Sequence, residues 1–164
     1  MKNPFIKETQ VNKILKILKN NIFLLSLLLF LSSISAQNEK LEVDEAMEVL
    51  DIYMQEFNAR NMESWSETLN YPHVRFSRGQ VTLWNTKEEY ASVNIFKRLV
   101  STGWHHSAWI SRDPILVSKN KVHISTVFQR YDKNNQPIEQ YQSLYIVTKE
   151  KGHWGIKARS SLAP

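Results

Sequence analysis

The sequence predicts an α+β domain in which a curved antiparallel sheet wraps on N-terminal helices, preceded by an export signal. Three observations carry this. Residues 104–161 divide into four β-rich runs at short polar turns, and the residues before them repeat apolar side chains every three or four positions. The first 36 residues have the composition of a leader.

The leader comes first. Lys13, Lys16 and Lys19 precede an apolar run over 22–31, and Ser32, Ser33, Ile34, Ser35 and Ala36 close it with mostly small residues. This is the build of a secretory signal peptide, cleaved before Gln37. A membrane-spanning helix needs about 20 apolar residues, roughly twice this run, so no stable span is expected once residues 1–36 are removed. Export to the periplasm or the medium follows as the expected localisation. With no cysteine in the chain, disulfides and thiolate chemistry are excluded, and core packing alone must hold the fold. The 42% apolar and 11% aromatic content is enough to build one such core. The net charge of +5 belongs mostly to the leader, which holds five lysines and one acid; 16 basic and 15 acidic residues remain, a balance of +1. No basic stripe follows from that, so nucleic acid is not an expected partner.

Residues 37–42 read as a flexible lead-in and 43–164 as the domain. Val43, Ala46, Met47, Leu50, Tyr53, Met54 and Phe57 form one helical stripe, with Glu48, Asp51, Gln55 and Glu56 facing away. The polar stretch 58–61 ends that helix, an asparagine taking the left-handed conformation. A second helix carries Met62, Trp65 and Leu69 and stops at Asn70, Tyr71 and Pro72. Residues 73–77 and 80–84 alternate around Arg78 and Gly79 as a hairpin. Thr86 and Glu89 have capping-box spacing and open one helix, with Tyr90, Val93, Phe96 or Lys97, and Val100 on its stripe and Gly103 at its end.

From Trp104 the period becomes two. Residues 104–111 and 115–118 read as one strand bent at Arg112, Asp113 and Pro114, because proline lacks a ladder donor. Residues 121–131, 138–148 and 153–160 follow as strands joined by short turns, which pair antiparallel.

Several of these segments resemble the nuclear transport factor two-like superfamily, in particular its SnoaL-like branch. The similarity covers about residues 43–161. It rests on the corner from Phe57 through Asn58, Ala59, Arg60 and Asn61 to Trp65, on Tyr71-Pro72-His73-Val74-Arg75-Phe76, on Gly103-Trp104-His105-His106-Ser107, on Phe128-Gln129-Arg130-Tyr131, on Tyr145-Ile146-Val147-Thr148 and on residues 154–161. The resemblance implies a cone with a pocket at its open end, which would hold a small molecule, and a homodimer formed through the sheet face. Members include isomerases, hydrolases, cyclases and association modules, so it implies no single reaction.

An isomerase of the ketosteroid type needs a placed aspartate base with oxyanion donors. Here Asp113, Asp132, Glu139 and Glu150 fall at bends or turns of the strand region. Of the five histidines, His73 and His106 are the candidates for a general acid or base, since each begins a run near the cone's mouth. Alternation places His105 and His106 on opposite faces. No histidine pair has the spacing of a metal site, and no glycine-rich phosphate loop or Gly-x-Ser-x-Gly elbow is present, so no metal or cofactor is expected. Arginine in a pocket can hold a carboxylate or phosphate by two parallel bonds. Alternation aims Arg75 at water. Arg130 shares a face with Val122, Ile124 and Phe128 and so ends the cavity, and Arg159 is a further ligand-binding candidate. Tyr53, Phe57, Trp84, Trp104, Trp109 and Tyr145 are candidate pocket walls. Three roles stay open: a binding protein for a small, partly apolar and anionic molecule, an enzyme using a histidine with tyrosine or arginine support, and a homodimeric association module.

Overall fold

The computed structural model describes the backbone of residues 4–93 and 95–163, with side chains mainly from residue 37 onward. It falls into two units, Met1–Asn38 and Glu39–Pro164. A helix, α1, runs Pro4–Ala59, so the expected lead-in at 37–42 is helical. The export signal falls on residues 1–36, whose side chains lie mostly outside the described residues. Among the described residues no helix is long and apolar enough to cross a membrane.

In the second unit the predicted stripe of α1 packs inward: Ala46 and Leu50 are fully buried, and Tyr53, Met54 and Phe57 nearly so. The helix ends at Arg60, not at an asparagine, and Arg60 takes the left-handed conformation (φ +57°). Asn61 instead opens α2 (Met62–Glu67), its side chain accepting from the Ser64 amide. Helix α2 is shorter than expected. Leu69 already belongs to a strand, β1 (Leu69–Ser77), which continues through the cis Tyr71-Pro72 bond. The hairpin to β2 (Gln80–Trp84) forms around Arg78 and Gly79, both at positive φ.

One expected helix is two, α3 (Lys87–Ala91) and α4 (Ile95–Ser101). Thr86 caps α3 by accepting from the Glu89 amide, while Glu89 Oε2 reaches back one residue further than a capping box, to the Asn85 amide at 2.6 Å. The break shifts the buried stripe, so Leu99 is buried and Val100 is half exposed.

The strands β3 (His106–Ser118), β4 (Lys121–Tyr131), β5 (Pro137–Glu150) and β6 (His153–Ser161) complete a six-stranded sheet ordered β2-β1-β6-β5-β4-β3. The sequence neighbours pair antiparallel as expected, but β1 lies parallel to β6, which makes the sheet mixed. Strand β3 carries register shifts at 109–111 and 114–116. Each extra residue reverses which side chains face the helices. Ser107 and Trp109 therefore point inward before the first shift, whereas Arg112 does so after it, reaching Asp51 Oδ1 at 2.6 Å. The core lies between the inner sheet face and the helices. Trp65, 2% exposed, has the rings of Tyr53, Phe57, Tyr90 and Phe96 at 5.1–5.8 Å.

Candidate functional site

A cavity opens between α1, α4 and the inner sheet face. Tyr53, Met54 and Phe57 of α1 and Ile95 of α4 contribute its helical wall, while Ser107, Phe128 and Tyr145 line the sheet side. Arg75 from β1, Arg130 from β4 and Arg159 from β6 complete it. The centre of a water molecule has about 20 Å³ available inside, against about 370 Å³ of unfilled space counted out through the open mouth. The smaller figure decides what fits deep in the cavity without rearrangement: one water or a group of a few atoms.

The arginines dominate its chemistry. Arg75 and Arg159 are register partners across the parallel β1/β6 pair, and Tyr145 is the partner of Arg159 on β5, so the three form a row across the sheet. Like charges directly opposite on neighbouring strands repel. Arg159 donates from Nη1 to the Tyr53 hydroxyl (2.9 Å) and from Nη2 to Ser161 Oγ (3.0 Å), and lies 5.2 Å over the Tyr145 ring. Arg130 stacks 4.7 Å from the Tyr141 ring, and Arg75 touches Ser77 Oγ at 3.5 Å. The Nε atoms of all three are buried without a hydrogen-bond partner. None of the ion pairs among the described residues includes any of them, and no carboxylate lines the cavity.

Burial pulls Arg75 and Arg130 below the ordinary arginine range, and the Arg159 charge pulls both further; for Arg130 the Tyr141 oxygen and Glu139 work the other way. Burial also opposes the Arg159 charge, but the oxygens of Tyr145 and Tyr53 outweigh it and its pKa is raised. All three guanidiniums stay cationic at neutral pH. Burial pushes the Tyr145 and Tyr90 phenols well up, so both are neutral donors. The arrangement can hold an anion. It has no carboxylate to take a proton from a substrate.

Residues 44–162 match the family described as NTF2-like protein (DUF6841). The chain belongs to this NTF2-like family. No curated protein matches it. Among solved structures it is similar to an NTF2-like protein with a cystatin-like fold from Novosphingobium aromaticivorans (12% identity, 80% of this chain and 88% of that one, TM-score 0.62). It is likewise similar to a ketosteroid isomerase-like protein from Erwinia carotovora atroseptica (17%, 75% and 98%, 0.56) and to a cystatin-like protein of unknown function from Nostoc punctiforme (15%, 75% and 89%, 0.58). At these identities the likeness is one of fold.

In the NTF2-like chain, five of the residues singled out from sequence line the cavity together: Tyr53, Phe57, Arg130, Tyr145 and Arg159. Three tryptophans stand elsewhere. Trp104 is buried behind Phe57 and donates to Ser107 Oγ (2.9 Å), and Trp109 backs Tyr145 and Phe128 at ring distances of 5.7 and 6.2 Å. Trp84 stacks on His73 at 5.8 Å.

Neither candidate histidine lines the cavity. His73 is 3% exposed and its Nδ1 is 2.9 Å from the Ile156 carbonyl, which fixes the proton there. Burial, with the charges of Arg159 and Arg75, pushes its pKa down to about 4, so it is neutral at pH 7. His106 stacks on Tyr131 (5.0 Å) at the start of β3. Its Nδ1 is 3.3 Å from that of His105, so the two do not lie on opposite faces; His105 precedes the strand and escapes its alternation.

Arg75 also departs from expectation. It faces the cavity, while its apolar neighbour Phe76 faces out and is 46% exposed. Glu139 is not at a turn but inside β5, opposite Arg130, where it accepts from the Tyr141 hydroxyl (2.8 Å). Among the described residues no three potential metal ligands converge.

Proposed function

We propose that this NTF2-like domain binds a small anionic, partly apolar molecule in the cone's cavity. One observation carries the reading: Arg75, Arg130 and Arg159 line the same cavity, each with a buried Nε that has no hydrogen-bond partner, and no carboxylate is among its lining residues. Evicting three charged groups from water without counter-charge is costly, so the arrangement is explained by an anion that supplies the charge. Met54, Phe57, Ile95 and Phe128 give the rest of the molecule an apolar surroundings. The lack of a general base favours binding over isomerisation. Native mass spectrometry of protein purified from its own cells should reveal a retained small anion, and isothermal calorimetry should show its affinity lost in Arg130→Gln. Retained affinity in Arg75→Met and Arg130→Gln alike would remove the cavity as the site.

The domain is proposed to act after export, with the mature chain beginning at Gln37, on the strength of the leader composition; N-terminal sequencing of secreted or periplasmic protein decides this. A homodimer through the outer sheet face is supported by the cross-strand pair Phe76 and Val81, both exposed. Sedimentation equilibrium giving a monomer at micromolar concentration would remove it.

A further inference from the structure

We infer that the deep end of the cavity takes a tetrahedral dianion, a phosphate- or sulfate-type head group, in preference to a carboxylate. This rests on the anion-binding reading above and adds the chemical class of the head. Charge is the first argument. Three arginines line the space, and Glu139, the cross-strand partner of Arg130, is engaged by the Tyr141 hydroxyl. A monoanion would leave the Arg75 and Arg159 row with net repulsion across the parallel strand pair. A dianion matches that pair and leaves Arg130 as a third donor from the far side of β5.

Donor geometry is the second argument. A carboxylate is held best by a fork, two adjacent N–H groups of one guanidinium. Arg159 already spends one N–H of Nη1 on Tyr53 and one of Nη2 on Ser161, so its fork is not free for a carboxylate. Arg75 and Arg130 line the cavity from strands on either side of β6 and β5. Guanidiniums arriving from three strands suit oxygens spread around one central atom better than two oxygens in a plane.

Size is the third. The 20 Å³ open to atom centres equals a sphere of about 1.7 Å radius. That is slightly longer than a phosphorus–oxygen or sulfur–oxygen bond, so the volume is of the order one tetrahedral oxyanion needs. Any organic remainder of the ligand lies in the wider space toward the open mouth.

The test is isothermal calorimetry of the folded protein in oxyanion-free buffer with four probes: sulfate, inorganic phosphate, acetate and benzoate. Sulfate and phosphate should bind roughly ten- to hundred-fold tighter than the two carboxylates, as one added charge near the arginine pair implies. Arg75→Met, checked for folding by circular dichroism, should lose at least roughly ten-fold of that affinity. Arg130→Lys, which keeps the charge but not the planar donor set, should fall between. Phosphate binding without sulfate binding narrows the head to a phosphate that can also donate, and supports the inference. Acetate or benzoate binding as tightly as sulfate overturns the inference and leaves the anion site standing. Binding of none of the four overturns both.

Discussion

Replacing Arg75 with methionine should stabilise the protein when no oxyanion is present. The side chain keeps most of its bulk and loses its charge, and the charge opposite it on β6 loses a repulsive neighbour. Adjacent strands lie about 4.8 Å apart, which puts the two guanidiniums on the order of 6 Å from one another. At an effective dielectric of about 20 their repulsion is about 3 kcal/mol. Arg75 keeps some solvent contact, and screening reduces the expected gain to about 1–2 kcal/mol. Urea denaturation in oxyanion-free buffer reads this as a midpoint roughly 0.5–1 M higher than wild type at unchanged slope. Adding phosphate should then stabilise the wild type, by about 2.7 kcal/mol at a hundred times its dissociation constant, and leave the variant almost unmoved. The order of the two proteins therefore reverses with phosphate. A variant less stable than wild type by more than about 1 kcal/mol in oxyanion-free buffer would refute the reasoning, since Arg75 would then be making a net favourable contact.

Three further outcomes are expected. His73 has a folded pKa of about 4 against an ordinary 6.5, so the unfolded chain takes up a proton that the native one refuses. Stability should fall as pH drops through that window, by about 2 kcal/mol between pH 7 and 5, and the slope should flatten in His73→Asn when both are titrated with urea. At Gly155 an added Cβ would sit 3.0 Å from both the Asn70 amide nitrogen and its side-chain Cγ, so Gly155→Ala should cost about 1–3 kcal/mol. Trp65 Nε1 has no hydrogen-bond partner whereas Trp104 Nε1 donates to Ser107 Oγ; Trp104→Phe should therefore be more damaging than Trp65→Phe by roughly 1 kcal/mol in the same assay, and equal losses would count against the contact.

The strands of the C-terminal half were legible because each holds runs of alternating residues between obvious turns, and the β3 bend because proline cannot donate. The first helix was legible from its stripe. The misplaced orientation of Arg75 came from the assumption that the apolar side of an element is its buried side. In β1 the pattern is inverted: His73 and Arg75 face in, and the exposed Phe76 faces out. Periodicity read alone therefore sent Arg75 to water. Strand β6 conceals a similar reversal. Trp154 and Ile156 are buried, but a register shift at this point puts Arg159 rather than Ala158 on the cavity side. Met54, Arg75, Ile95, Ser107 and Phe128 were missed as site residues, and of these Arg75 is the one whose orientation depends on a pairing far away in sequence. The parallel pairing of β1 with β6 lies in the same class, as no local turn announces it.

That pairing also orders events in time. The hairpin of β1 and β2 is made of neighbours and can close as soon as residues 69–84 are available, whereas the inner edge of β1 waits for a strand that begins at His153. A chain lacking β6 holds two finished pieces, a hairpin and a three-stranded meander, with nothing to join them. Closing so long a loop is entropically slow, and it is the step at which the two repelling charges are first forced side by side. Phosphate or sulfate present during refolding should therefore act on the final docking of the sheet and leave the early formation of the hairpin unchanged.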